Sequence, residues 1–294
     1  METKIIIIIL SGSLFVFFSL SIIFIVLYAS KDTDEDGKTS YKIEEQNITA
    51  TSGENIYGQI YLPNKKNSYT VILCHGFGGT YEDMAPYAAY LAQYGYVAYV
   101  FDFRGGSTSS KSDGATTSMT PLTEKQDLSD VYDFLIKQDY TKTGKVYLIG
   151  NSQGGFVSTL YTADHQDNIA GLLLLFPALV IPDNMREQFP DVDQLEDTFF
   201  YMLMDIGKEY VLSVYDIDAY TNLQNYDKQV MIHHGIEDTL VPYSSSITAC
   251  ENYGTTCRLI LYEGGDHGLN DEVPRKKSLQ DTLHFFNDLI NEVF

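Results

Sequence analysis

Short runs of β-branched and aromatic residues alternate with longer amphipathic segments through most of this chain, and that alternation leaves few folds open. Runs at residues 69–74, 97–101, 146–149, 169–176, 229–233 and 258–262 are separated by helical patterns at 83–94, 123–138, 153–164, 244–253 and 275–293. Strands joined through helices pair in parallel, and the helices then cover both faces of the sheet. The expected fold class is therefore α/β, with a mostly parallel central sheet flanked by helices. Two β-rich stretches at 43–51 and 56–62 come first, and their alternation suits antiparallel strands.

The rhythm breaks once. The interval 177–228 is far longer than an ordinary connection and holds aromatic and helical pieces at 199–202 and 210–212. It reads as an inserted lid; an extra packed helix pair with no role at a site is the alternative.

Ahead of the α/β pattern, residues 5–29 form a near-continuous apolar run interrupted only by small residues. At ~1.5 Å per residue such a run spans the ~30 Å hydrocarbon core of a bilayer with some tilt. Lys4 precedes it, and Asp32, Asp34, Glu35 and Asp36 follow. Because basic flanks favour the cytoplasmic side, the expectation is a single-pass signal anchor (1–29) with the rest of the chain outside. A cleaved signal peptide, giving a secreted protein, is the alternative. Residues 30–42 read as an acidic tether, and 43–294 as one domain carrying the insertion.

Forty acidic residues against 19 basic give a net charge of −21. That argues against nucleic acid as a partner, since association would meet repulsion in place of counterion release. Solubility accounts for the acidity; an acidic rim favouring uncharged over anionic substrates is a weaker reading. Of the three cysteines, Cys74 sits inside an apolar run and reads as a buried small hydrophobe. Cys250 and Cys257 flank a short Gly-containing turn, a spacing open to a local disulfide or to free thiols. No Cys/His cluster has the spacing of a metal site, so neither metal nor organic cofactor is expected.

Chemistry concentrates in Gly150-Asn151-Ser152-Gln153-Gly154-Gly155, directly after the apolar run 146–149. Strand, sharp turn with a serine at its apex, and helix make a nucleophile elbow, and the glycines permit the close backbone approach such a turn needs. A serine hydroxyl is a poor nucleophile at neutral pH and needs a positioned base, itself oriented by an acid. Asp238 follows the run 229–233, and His267 follows 258–262. Nucleophile, acid and base thus occur in the order Ser152, Asp238, His267, each just beyond a strand. Glu237 is the neighbouring candidate for the acid, and Asp238 could also simply start a turn. His233 and His234 read as packing residues, His165 and His284 as residues on solvated helix faces, and Asp266 as a turn former. An oxyanion hole requires two backbone N–H donors. Gln153, next to the nucleophile, supplies one; Phe77, in the loop His75-Gly76-Phe77-Gly78-Gly79, supplies the other, with His75 shaping the loop.

On these motifs, together with 101–106, Ser118-Met119-Thr120, 234–242 and Gly264-Gly265-Asp266-His267, the chain resembles the α/β-hydrolase superfamily of serine hydrolases. Within it, the sequence is similar to bacterial cinnamoyl (feruloyl) esterases and monoacylglycerol-lipase-like relatives. The resemblance covers essentially everything after the tether, including the end of the lid at 207–216. It implies a serine carboxylesterase acting through an acyl-enzyme on hydroxycinnamoyl or similar small esters, with short-chain acylglycerols next. A peptidase or acyltransferase using the same triad, and a surface binding protein without turnover, are the readings from other classes. Three departures bear on substrate choice: Asn151 stands where relatives often carry His, Gly106-Ser107-Thr108 replaces a usual His-Gly, and 181–205 is a sequence of its own. Oligomeric state is not legible.

Overall fold

The computed structural model describes residues 38–67, 69–142 and 145–291. In chain order, β1 (Tyr41–Glu45) is followed by β2 (Ile48–Thr49), β3 (Asn55–Ile56), β4 (Gly58–Pro63) and β5 (Thr70–Cys74). Then come α1 (Tyr81–Gln93), β6 (Val97–Phe101), α2 (Pro121–Leu135), β7 (Val146–Asn151), α3 (Ser152–Asp164) and β8 (Gly171–Leu175). Four elements occupy the long interval: α4 (Ile181–Gln188), β9 (Thr198–Tyr201), β10 (Met204–Gly207) and α5 (Lys208–Val214). The series closes with β11 (Val230–Gly235), α6 (Tyr243–Tyr253), β12 (Cys257–Tyr262) and α7 (Glu272–Asn291).

Eight strands form one sheet in the order β1-β4-β6-β5-β7-β8-β11-β12. β4 pairs antiparallel with both β1 and β6, and every later pairing is parallel. Every residue of β5, β6 and β8 is buried, which is why these strands read as unbroken apolar runs. The pleat divides them between two cores. Ile72 and Cys74 join α2, α3 and α6 on one face; Val71 and Leu73 join α1 and α7 on the other. Aromatic stacking of Tyr147 on Phe286 at 4.7 Å docks α7 to the second face.

Helix starts fall slightly earlier than the apolar periodicity alone suggests, because caps set them. Thr80 and Asp83 form a capping box at α1, while Thr120 and Thr123, followed by Pro121, do the same at α2. The expected strand 43–51 divides in two: β2 leaves the central sheet to pair with β3. Gln46 and Asn47 interrupt the alternation there, and the Gln46 amide is spent on the Gly58 carbonyl at 2.9 Å. In the interval 177–228, residues 199–202 form a strand and its turn; the helical piece is α5. Cys250 and Cys257 are joined in a disulfide (Cα–Cα 5.3 Å) that ties the end of α6 to the start of β12, and Cys74 is a buried free thiol.

The expected membrane span at 5–29 and most of the tether lie outside the described residues. Among the described residues, no helix is long and apolar enough to cross a membrane.

Candidate active site

β7 delivers the chain to the top of the sheet at Asn151, and α3 begins at once with Ser152. Reversing direction in one residue forces Ser152 to a φ of +48°, a left-handed conformation that costs a non-glycine residue roughly 1–3 kcal/mol. Surrounding glycines make this turn possible. A Cβ on Gly154 would lie 2.3 Å from the His75 carbonyl oxygen, and one on Gly150 would lie 2.3 Å from the Gly154 carbonyl oxygen.

The fold brings Ser152, His267 and Asp238 together from three strand ends. His267 Nε2 lies 3.1 Å from Ser152 Oγ, and His267 Nδ1 lies 2.7 Å from Asp238 Oδ2. Asp238 Oδ1 accepts the amides of Leu240 and Val241 at 2.9 and 2.8 Å. Its Oδ2 also receives His234 Nε2 at 3.1 Å. Burial by itself would raise the Asp238 carboxyl, but the bonds from His234, His267 and Val241 outweigh it and hold the group well below the usual carboxylate range. Glu237 faces solvent and is not part of this network. Phe176, with a φ of +38°, sets its ring edge against His267 at 4.9 Å.

His234 does more than pack. Its Nε2 faces two acceptors, Asp238 and the Val241 carbonyl at 3.0 Å, so that nitrogen carries the proton and Nδ1 accepts from Ser246 Oγ at 2.7 Å. The sequence signal for this role is only the four-residue spacing to Asp238 around a tight turn. The remaining histidines and Asp266 behave differently. His233 is buried, His284 is exposed, His165 stacks on Tyr161, and Asp266 accepts the Asn270 amide at 2.8 Å.

Phe77 and Gln153 flank the nucleophile from the loop after β5 and from the first turn of α3. His75 shapes that loop. The Phe103 amide donates to its Nε2 at 3.0 Å, which leaves Nδ1–H to donate to the Gly76 carbonyl at 2.7 Å. Burial pushes the His75 imidazole below its ordinary value, so it stays neutral. The Gly78 amide is tied to the Gly106 carbonyl at 3.0 Å, whereas the Phe77 amide has no acceptor among the described residues. Gln153 sits at the second position of α3, where an amide has no acceptor within its own helix. Its side chain is buried, donates to Glu124 Oε2 at 2.8 Å and accepts from the Tyr210 hydroxyl at 2.5 Å. Sequence reading missed Glu124 and Tyr210, because nothing local marks a partner so distant along the chain.

A cavity of about 510 Å³ opens over Ser152 and His267. Met202 and Leu203, from the β9–β10 turn, and Leu240 give it apolar walls; Glu82, Asp83 and Arg275 supply its charges. This is the size and composition of a small-molecule site. Among the described residues no His, Cys, Asp and Glu cluster could hold a metal ion.

The mostly parallel eight-stranded sheet, with a strained serine at its carboxyl edge, defines an α/β hydrolase. The chain belongs to the serine aminopeptidase S33 family, whose model matches residues 65–213. Among individual proteins it is similar to YqkD of Bacillus subtilis, 23% identical over 287 residues that cover 90% of this chain and 91% of that one. The structure of Est1E from Butyrivibrio proteoclasticus with ferulic acid bound superposes with a TM-score of 0.76 at 24% identity, covering 84% of this chain and 99% of that chain. The esterase EaEST from Exiguobacterium antarcticum superposes with a TM-score of 0.64 at 20% identity, covering 82% of this chain and 99% of that one. These two likenesses are likenesses of fold.

Proposed function

We propose that the protein is a serine carboxylic-ester hydrolase acting through an acyl-enzyme. The observation that carries this reading is the continuous hydrogen-bonded line Ser152–His267–Asp238 beneath a cavity of substrate size. Ser152 Oγ adds to the ester carbonyl while His267 Nε2 takes the hydroxyl proton, and the carbonyl π electrons move onto oxygen. Phe77 and Gln153 amides stabilise that oxyanion. On collapse the alkoxide leaves with the proton held by His267, and Ser152 stays acylated. Water then repeats the sequence, its proton passing through His267, and releases the carboxylic acid. Asp238, kept anionic by its donors, fixes the imidazole tautomer and balances the imidazolium.

Met202, Leu203 and Leu240 favour a compact apolar or aromatic acyl group, in line with a hydroxycinnamoyl or similar small ester. A fluorophosphonate is expected to label the wild-type protein but not Ser152→Ala. Equal labelling of both, or none of either, overturns the hydrolase reading. In an ester panel, methyl ferulate should exceed short nitrophenyl esters and monoacylglycerols in kcat/KM, and a flat panel removes the cinnamoyl preference.

One observation favours a second substrate class. Glu82 and Asp83 are among the residues lining the cavity, and carboxylates there would suit the free α-amino cation of an aminoacyl group. Faster turnover of an aminoacyl anilide than of the matched aminoacyl ester would favour that peptidase chemistry.

We further propose that residues 5–29 anchor the chain at a membrane with 43–294 outside, as the apolar run and its charged flanks suggest. The full chain should then stay with membranes through carbonate washing and be open to protease added outside intact cells. Release by the wash would overturn the anchor.

A further inference from the structure

Tyr210 lies in α5, within the inserted interval, yet it touches both residues whose amides flank Ser152. Its hydroxyl donates to Gln153 Oε1 at 2.5 Å, and its ring meets the Phe77 ring edge-on at 5.8 Å and 79°. Tyr201, at the end of β9, presses on the same Phe77 ring at 5.6 Å and 86°. On its other side, the Gln153 side chain donates to Glu124, a fully buried carboxyl of α2. Burial raises the Tyr210 phenol and the Glu124 carboxyl well above their ordinary values. The phenol therefore holds its proton for donation. Met119 Sδ, 3.6 Å from Gln153 Nε2, completes the enclosure.

The Gln153 side chain is buried and hydrogen-bonded on both sides in this enclosure, and its backbone amide is only a few bonds from the clamped group. Phe77 is braced on its ring while its amide remains without an acceptor among the described residues. We propose that Tyr210 is the positioning residue of the oxyanion hole: its hydroxyl fixes Gln153 and its ring backs Phe77, so the insertion sets where the two amides point. The consequence is that the inserted segment acts on the rate of the chemical step as well as on the shape of the cavity. This inference rests on the serine-hydrolase reading above.

The test compares Tyr210→Phe, Gln153→Met and the double variant on a small nitrophenyl ester, with a trifluoromethyl ketone as probe. Ser152 Oγ adds to the ketone carbon, its proton passes to His267, and the oxyanion left behind has to be held by the two amides. Tyr210→Phe is expected to lower kcat about 10-fold or more, approaching the ~10²–10³ of a lost donor, with KM within about twofold. Ketone affinity should fall by the same factor as kcat/KM. Gln153→Met keeps its backbone amide and should reproduce the loss, and the double variant should lose no more than either single. Gln153→Met alone carries the test if Tyr210→Phe does not fold. Unchanged kcat and ketone affinity, or losses that multiply in the double variant, would overturn the proposal. So would a fall in activity without a fall in ketone affinity, which would mark a merely structural role. Wild-type protein that fluorophosphonate does not label defeats the hydrolase reading itself; labelled wild type with an unaffected Tyr210→Phe defeats only the role of Tyr210.

Discussion

His233 and His234 are neighbours on β11, and the strand's alternation sends them to opposite faces with opposite consequences. His234 meets the Asp238 carboxylate, whereas His233 has Ser278 Oγ at 2.9 Å, the Tyr262 ring edge at 5.3 Å and no partner for Nε2 among the described residues. Burial lowers the His233 imidazole from 6.5 to about 3. Between those two values the unfolded chain binds a proton that the folded one does not. Stability is thus full above the unfolded value and declines as pH falls from 6.5 toward 3, by on the order of a few kcal/mol. Denaturation followed from pH 7 to 4 should show, in His233→Leu, a slope shallower by about one proton than in wild type. Equal slopes would mean that His233 is protonated in the folded protein. Residue by residue, the candidate site was legible where local context suffices: Ser152, Asp238 and His267 each sit in a strand-turn signature. His234 and Tyr210 were not, because what they touch is decided by tertiary distance and not by neighbours in the chain.

At the level of elements, the apolar runs located every strand of the parallel part, most plainly β5, β6 and β8, which are buried throughout and so are apolar or nearly so along their length. It failed where burial is one-sided or absent. In β9 the exposure alternates, with Phe200 70% exposed and Phe199 turned toward the core, and four residues are too few to separate a strand from a helical turn. Aromatic composition and the turn at Met202, whose φ is +52°, carry the strand signal instead. That hairpin matters beyond its size. It hangs Met202 and Leu203 over the nucleophile, while α5 behind it brings Tyr210 to Gln153. One stretch of chain, 198–214, therefore both lines the cavity and contacts the residue that follows the elbow serine, so the proposed role of Tyr210 would couple specificity to rate.

For the molecule as a whole, acidic residues outnumber basic ones about two to one, and the cavity lining keeps that excess while adding one guanidinium. A net charge of −21 surrounds an opening whose own charged lining is Glu82, Asp83 and Arg275. An anionic ligand approaching the opening meets a long-range field that repels it, and the single guanidinium of the lining, Arg275, at close range. The field is screened over ~10 Å at 0.1 M salt, and Arg275, itself exposed, is a single opposing charge within it. Raising ionic strength from about 10 to about 500 mM should therefore increase kcat/KM for an ester bearing a free carboxylate several-fold, toward the ~10-fold range typical of steering effects. A neutral ester of the same shape should change by less than about twofold. The comparison separates two origins of selectivity within one measurement. If both esters respond alike, salt is acting on the fold or the insertion. If the anionic ester instead loses activity with salt, Arg275 dominates the field and the cavity is built to receive a negative group.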